Sequence, residues 1–270
     1  EPLWRPAPER IERAHITAFL RWLARERGLT FADYESLWQW SVSDLEGFWG
    51  ALWHFLGLRA SQPYERVLGA RTMPGAQWFV GARLNLVDQV FRHVTDTRPA
   101  IVAGDESGAL REVAWAELQA QVASLSAALR ELGVVPGDRV VAILPNVPQT
   151  IVAFLACASV GAIWSVCSPD MGPLAVLDRF RQIAPKVLIA CDGYRYGGKV
   201  FDRAAVLAEI RAALPTVEHT LVVPLLHGRL DATRFPQARC WTSLISHEAV
   251  LHTEQVAADH PLWVVYSSGT

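Results

Sequence analysis

The chain of 270 residues is long enough for one large domain or two small ones, and with 51% of its residues apolar it can bury a sizeable core. A formal net charge of −2 gives no reason to expect nucleic acid or an anionic membrane as partner. The four cysteines, Cys157, Cys167, Cys191 and Cys240, are widely spaced, with no C-x-x-C pair and no histidine at ligand spacing; this argues for free thiols in a reducing cytosol and against a disulfide framework or a zinc site.

The first residues show no charged region followed by an apolar run, so no signal peptide is expected. Instead the chain begins with a helical, Trp-rich stretch. Pro8 suits a helix start, and Ile11, His15, Ala18, Phe19, Trp22 and Leu23 form one apolar face that ends at Gly28. Thr30 with Asp33 predicts the cap of a short helix carrying Leu37, Trp38 and Trp40. Ser43 with Glu46 predicts a capping box for a third helix, with Phe48, Trp49, Leu52 and Phe55 inward and Gly57 as its stop. Tryptophans at this spacing read as core rather than as a ligand-stacking face. Residues 61–77, with Pro63, Gly69, Pro74 and Gly75, read as a connector, which divides the chain into a helical extension over 1–77 and a larger domain over 78–270.

Beyond the connector a helix is predicted over 85–92, and strands at 100–103 and 110–113 form a hairpin around a turn at 104–108. A regular alternation follows: helix 116–132 stopping at Gly133, strand 139–144, helix 148–160 stopping at Gly161, strand 162–166, helix 174–183, strand 187–190, helix 202–214 and strand 220–223. After an irregular stretch, 262–266 reads as a last strand. The 18 uncharged residues from Thr150 to Cys167 reach the lower limit for a membrane span, but Gly161 divides them into a buried helix and a buried strand. The fold class is therefore α/β: a helical N-terminal segment, then a mostly parallel sheet flanked by helices. Ligands of such sheets bind at the carboxyl ends of the strands. Three loops there carry notable residues: Ser168-Pro169-Asp170, the stretch from Asp192 to Lys199, and the closing Ser267-Ser268-Gly269-Thr270.

The closing loop suits a phosphate cradle, because glycine admits close approach of the backbone and Ser and Thr add hydroxyls; it is also an ordinary flexible tail. Gly193-Tyr194-Arg195-Tyr196-Gly197-Gly198-Lys199-Val200 fits G-x-x-x-x-G-K between a strand and a helix, the setting of a nucleotide P-loop. Val200, however, stands where a magnesium-holding Ser or Thr belongs, so a basic glycine-bearing loop that meets some phosphate, or a plain surface turn, is the better reading. Asp170 reads as a helix cap. The eight histidines show no metal spacing, and no G-x-S-x-G elbow supports a serine hydrolase.

Several stretches together resemble a known family. Val113-Ala114-Trp115-Ala116-Glu117-Leu118, Gly137-Asp138-Arg139-Val140, Leu144-Pro145-Asn146, Gly161-Ala162-Ile163-Trp164-Ser165 and Tyr266-Ser267-Ser268-Gly269-Thr270 are similar, in order and rough spacing, to the adenylate-forming acyl-CoA synthetase superfamily. Trp78-Phe79, Gly81-Ala82-Arg83-Leu84-Asn85, Cys167-Ser168-Pro169-Asp170, Val176-Leu177-Asp178-Arg179-Phe180 and Asp192-Gly193-Tyr194-Arg195-Tyr196 are similar to its acetoacetate-activating branch.

The resemblance implies an acid–thiol ligase: ATP, Mg2+ and acetoacetate give an acyl-adenylate, and coenzyme A then displaces AMP, in cytoplasmic ketone-body or polyhydroxyalkanoate-type metabolism. It implies that Ser267, Ser268, Gly269 and Thr270 begin the ATP-phosphate loop. A basic Arg-Gly-Gly-Lys turn that binds coenzyme A in related enzymes falls on Tyr196, Gly197, Gly198 and Lys199, with Arg195 one place earlier. Tyr196 departs from the family's Arg, so the charge is assigned to Arg195 and Lys199. The magnesium-holding acid, the acid pocket and the adenylation lysine lie downstream in that family. Neither Lys186 nor Lys199 matches that lysine, no catalytic or metal residue is assigned, and the 270-residue chain by itself is expected to be silent. A ligase for acetate or propionate, a P-loop kinase built on 193–199, and a non-catalytic coenzyme A-binding fragment are the alternatives. Oligomeric state is not legible.

Overall fold

A computed structural model describes residues 3–267, and the chain divides into two compact units. One comprises the residues up to Arg83 with Ala257–Asp259; the other comprises Leu84–Val256 and the residues from His260 on.

The first unit is helical. The helix expected from Pro8 to Gly28 is two, α1 (Pro8–Glu12) and α2 (His15–Arg27), because Ala14 between them is extended. The Thr17 hydroxyl spans the break to the Ile11 carbonyl at 2.6 Å. Gly28 closes α2 in the left-handed conformation. In α3 (Tyr34–Ser43) the cap is Asp33 rather than Thr30: its carboxylate accepts the Ser36 N–H at 2.8 Å. In α4 (Leu45–Leu56) the cap is Asp44 rather than Ser43, whose hydroxyl is spent on the Gln39 carbonyl of the preceding helix. Phe19, Leu23, Leu37 and Ala51 centre the core, with Phe19 packed on Trp22, Phe48 and Phe55. Trp22 and Trp40 therefore serve packing, whereas Trp38 and Trp49 are exposed. The predicted connector carries a strand: β1 (Arg66–Leu68) pairs antiparallel with β2 (Trp78–Val80). The short β3 (Arg83–Leu84) ends this stretch.

The second unit opens with α5 (Leu86–Phe91) and the hairpin of β4 (Ile101–Gly104) and β5 (Leu110–Val113). Then come α6 (Trp115–Glu131), β6 (Arg139–Ile143), α7 (Pro148–Val160), β7 (Ile163–Cys167), α8 (Pro173–Phe180) and β8 (Val187–Cys191). A second hairpin, β9 (Gly193–Tyr196) and β10 (Lys199–Asp202), precedes α9 (Ala204–Ala212), β11 (His219–Val223), β12 (Arg239–Cys240) and α10 (Trp241–Leu244). Five strands form a parallel sheet in the order β12-β11-β8-β6-β7.

Alternation along each strand builds two cores. Val140, Ala142, Trp164, Val187, Ile189, Leu221 and Val223 face α6 and α7. Val141, Ile143, Cys167, Leu188, Ala190 and Val222 face α8 and α9. Both faces are covered, which explains why β8 reads as one unbroken apolar run. No helix among the described residues is long and apolar enough to cross a membrane.

The last predicted strand is not one. Residues 262–266 touch the sheet through a single parallel bridge between Trp164 and Trp263, with the Trp164 N–H donating to the Leu262 carbonyl at 3.0 Å and the Val264 N–H to the Trp164 carbonyl at 2.8 Å. Beyond it the side chains take over: the Tyr266 hydroxyl donates to the Arg179 carbonyl at 2.6 Å.

Candidate functional site

The sheet order reverses between β6 and β8, since α7 carries the chain from β6 to β7 on one side and α8 returns it past β6 to β8. A crevice at the carboxyl ends of these strands is the expected ligand position in an open parallel sheet. The elements that end there are described in turn.

After β7, the Ser168 hydroxyl donates to Asp170 and the Met171 N–H closes the turn on the Ser168 carbonyl at 3.2 Å. The Ser168 hydroxyl, with backbone N–H and the Arg203 charge behind it, holds the Asp170 carboxyl below the usual carboxylate range. Asp170 does not cap a helix: α8 starts at Pro173 with Gly172 as its N-cap, so the exposed carboxylate is part of a turn. Arg203 reaches this turn from the start of α9, donating Nη2 to the Met171 carbonyl at 3.1 Å, while its buried Nε has no partner among the described residues. Nothing in the sequence pattern had marked Arg203.

After β8, Asp192 is buried and spends both carboxylate oxygens on backbone: Leu226 N–H at 2.9 Å and His227 N–H at 3.1 Å. Its own carbonyl accepts the Arg203 N–H at 3.0 Å. Asp192 is thus an anchor for the chain rather than a ligand-facing acid.

The stretch from Gly193 to Asp202, read as a candidate phosphate loop, is a β-hairpin with Tyr196 paired to Lys199. Gly197 (φ 58°) and Gly198 (φ 71°) make the two-residue tip, which needs positive φ at both positions. A P-loop joins a strand directly to a helix; here a second strand intervenes and α9 begins at Ala204, so the P-loop geometry is absent. Cross-strand pairing puts Tyr196 and Lys199 on one face, with Tyr194 stacked on Phe201 at 5.0 Å, and Arg195 with Val200 on the other. Arg195, Tyr196, Gly197, Gly198 and Lys199 are brought together at one exposed tip, but the two cationic side chains leave it from opposite faces. At the base, Arg234 grips Asp202 with Nη2 at 2.7 and 2.6 Å to its two oxygens and holds that carboxyl below its usual range. At the tip, Glu106 from the β4–β5 turn accepts the Gly197 N–H at 2.6 Å and the Gly198 N–H at 3.1 Å. No pattern pointed to Glu106, which is far away in sequence.

Of the closing loop, Ser267 is described and exposed; Ser268, Gly269 and Thr270 lie outside the described residues. Because Trp263 bridges Trp164 in parallel, the same number of residues leads to Ser267 on this segment and Ser168 on β7, and both leave at the carboxyl end of the sheet. Arg179 lies over the Tyr266 ring at 5.5 Å, and burial pushes the Tyr266 phenol up. Among the described residues no cluster of three or more His, Cys, Asp or Glu side chains could hold a metal ion.

A family model described as AMP-binding enzyme matches residues 89–270, and one described as acetyl-coenzyme A synthetase N-terminus matches 34–90. The acetoacetyl-coenzyme A synthetase of Rhizobium meliloti (strain 1021) is 38% identical over 275 residues, covering 100% of this chain and 41% of that protein. The acetoacetyl-CoA synthetase of Xenopus tropicalis is 35% identical over 281 residues, covering 99% and 41%. The solved structure of acetoacetyl-CoA synthetase from Streptomyces lividans superposes with a TM-score of 0.94 at 48% identity, covering 100% of this chain and 42% of that one. The chain thus spans 41% of the length of these two curated relatives. With a family model matched over more than half its residues, the chain belongs to the AMP-binding enzyme family.

Proposed function

We propose that the whole protein carrying this chain is an AMP-forming acetoacetate–CoA ligase. The observation that carries the reading is likeness to acetoacetyl-CoA synthetases along the full chain, with 48% identity to the solved Streptomyces lividans enzyme and 38% and 35% to the two curated relatives; a malonamoyl-CoA synthetase of Penicillium aethiopicum follows at 32%. In the first step an acetoacetate oxygen attacks the α-phosphorus of ATP, forming acetoacetyl-adenylate and releasing pyrophosphate. In the second the coenzyme A sulfur attacks the acyl carbon, the thiol proton is lost, and AMP leaves. Such chemistry depends on holding charged groups in place more than on covalent work by the protein.

Within this reading Ser267, with Ser268, Gly269 and Thr270, opens the loop for the ATP phosphates at the carboxyl end of the sheet. The hairpin tip Arg195-Tyr196-Gly197-Gly198-Lys199 receives the nucleotide part of coenzyme A, with cations available on both of its faces. Mg2+ would neutralise ATP phosphate charge; the described residues supply no ligand set for it. The four free cysteines suit a cytoplasmic, reducing compartment. The 270 residues alone are expected to be inactive, the activity being that of the whole protein.

A second reading, a ligase for acetate or propionate, is favoured by the acetyl-coenzyme A synthetase N-terminus match over 34–90. Pyrophosphate exchange into ATP by the whole protein separates the two. Exchange with acetoacetate preferred over acetate is the expected result; exchange with acetate alone supports the second reading, and exchange with neither overturns both.

A further inference from the structure

The tip of the β9–β10 hairpin offers two adjacent backbone N–H groups, from Gly197 and Gly198, with no side chain to shield them. Both point at one acceptor. Glu106 gives one carboxylate oxygen to each, Oε1 to Gly197 at 2.6 Å and Oε2 to Gly198 at 3.1 Å. This is a two-point anion seat of the kind backbone amides form for phosphates, and its present occupant is an acid from a different hairpin. Glu106 is exposed, so packing does not force it there. The N–H of Gly197, then that of Gly198, holds its carboxyl below the usual range, against desolvation and the like charge of Asp105.

The edge of a phosphate presents two oxygens much as a carboxylate does. Lys199 on one face of the tip and Arg195 on the other add cations that a carboxylate held by the two N–H groups leaves exposed. We propose that Glu106 is a tethered competitor in a phosphate seat, and that a phosphate ester ligand binds the tip by displacing it. The proposal rests on the placement of coenzyme A at this hairpin, and adds the residue that sets how readily the seat is yielded. A tethered carboxylate rejects weakly charged ligands, and a phosphate ester that also meets a cation on either face of the tip outcompetes it.

Two roles for Glu106 predict opposite signs. As a brace between hairpins, its loss would loosen the tip and weaken binding. As a competitor, its loss frees two donors and tightens binding. Coenzyme A titrated calorimetrically into the whole protein, its Glu106→Ala and Glu106→Gln variants, and Lys199→Ala decides between them. The expected result is threefold to tenfold tighter binding in Glu106→Ala, roughly the worth of one hydrogen bond exchanged, with Glu106→Gln between it and the parent. Equal or weaker binding in Glu106→Ala, while Lys199→Ala still weakens it, overturns the competitor and leaves the coenzyme A placement standing. If none of the variants alters coenzyme A binding, that placement fails, and inorganic pyrophosphate becomes the probe. Slowed amide exchange of residues 193–202 by pyrophosphate in Glu106→Ala, and not in the parent, upholds the seat; no difference between the two overturns it.

Discussion

Asn85 ties three parts of the second unit together with a single side chain, and its removal should be costly for a reason that can be taken apart. It is 2% exposed. Its oxygen accepts the Val87 N–H at 2.9 Å and so caps α5. Its amide nitrogen donates to the Ala158 carbonyl in the last turn of α7 at 2.9 Å and to the Glu254 carbonyl at 2.7 Å. A lost cap costs about 1 kcal/mol, and each neutral hydrogen bond lost from a buried carbonyl about another. The Ala158 oxygen keeps the Gly161 N–H at 3.1 Å, which lowers its share. Asn85→Ala should therefore cost ~2–3 kcal/mol. Asn85→Ser, which keeps a capping oxygen and loses both donors, should cost about 1 kcal/mol less. Asn85→Asp keeps the cap but turns a carboxylate toward two carbonyl oxygens, and should be at least as damaging as Ala. Urea unfolding followed by circular dichroism reads these differences, and the corresponding fall in melting temperature is roughly 5–10 °C for a unit of this size. An alanine variant within about 0.5 kcal/mol of the parent would sink the argument, since that is the range of surface changes without such features.

Two further outcomes follow from the same geometry. Burial pushes the Cys191 thiol up to about 11 and raises those of Cys157 and Cys167, whereas Cys240 is lowered, its burial being outweighed by Thr242 and neighbouring N–H groups. Lowering a thiol pKa places thiolate at lower pH, so among these four thiols Cys240 should be the one that reacts with a disulfide reagent near pH 8, at a rate that rises through a pH below the ordinary thiol range; peptide mapping that finds Cys157, Cys167 or Cys191 labelled before Cys240 overturns this. At Gly193 an added Cβ would lie 2.5 Å from the Phe201 carbonyl oxygen and 2.8 Å from the Leu226 side chain. Gly193→Ala must open the base of the hairpin and should cost on the order of 1–3 kcal/mol, and a variant that melts like the parent would refute the close approach.

Much of the sheet was legible because its strands are buried on both faces. The runs at 139–144 and 187–190 are apolar almost without interruption, and Gly133 and Gly161 end the helices α6 and α7. Helix starts were less legible, because Thr30 and Ser43 each stand near an aspartate that makes the stronger cap, Asp33 and Asp44. The Gly197-Gly198 pair suits a phosphate-binding loop in sequence, and the hairpin itself has a second need for it: two positive φ values in a row are what a tight turn requires. The segment 262–266 carries a strand's composition, yet one bridge is all that pairs it with β7. Roles that arise between distant residues, such as Glu106 on the hairpin tip, Arg203 on the Met171 carbonyl or Asn85 on α7, leave no local mark in composition or spacing.

The hairpin closes on itself at its base, where the Asp192 carbonyl accepts the Arg203 N–H and the Asp192 carboxylate is fixed to Leu226 and His227. Its length is thereby uncoupled from the sheet. Lengthening both arms by one residue would carry the glycine tip about 3.4 Å outward and exchange the faces that present the tip's side chains; lengthening both by two would preserve the faces and carry the tip twice as far. Variation in reach at constant orientation is therefore open to this element only in steps of two residues per arm, a quantised freedom that the parallel strands beneath it do not share.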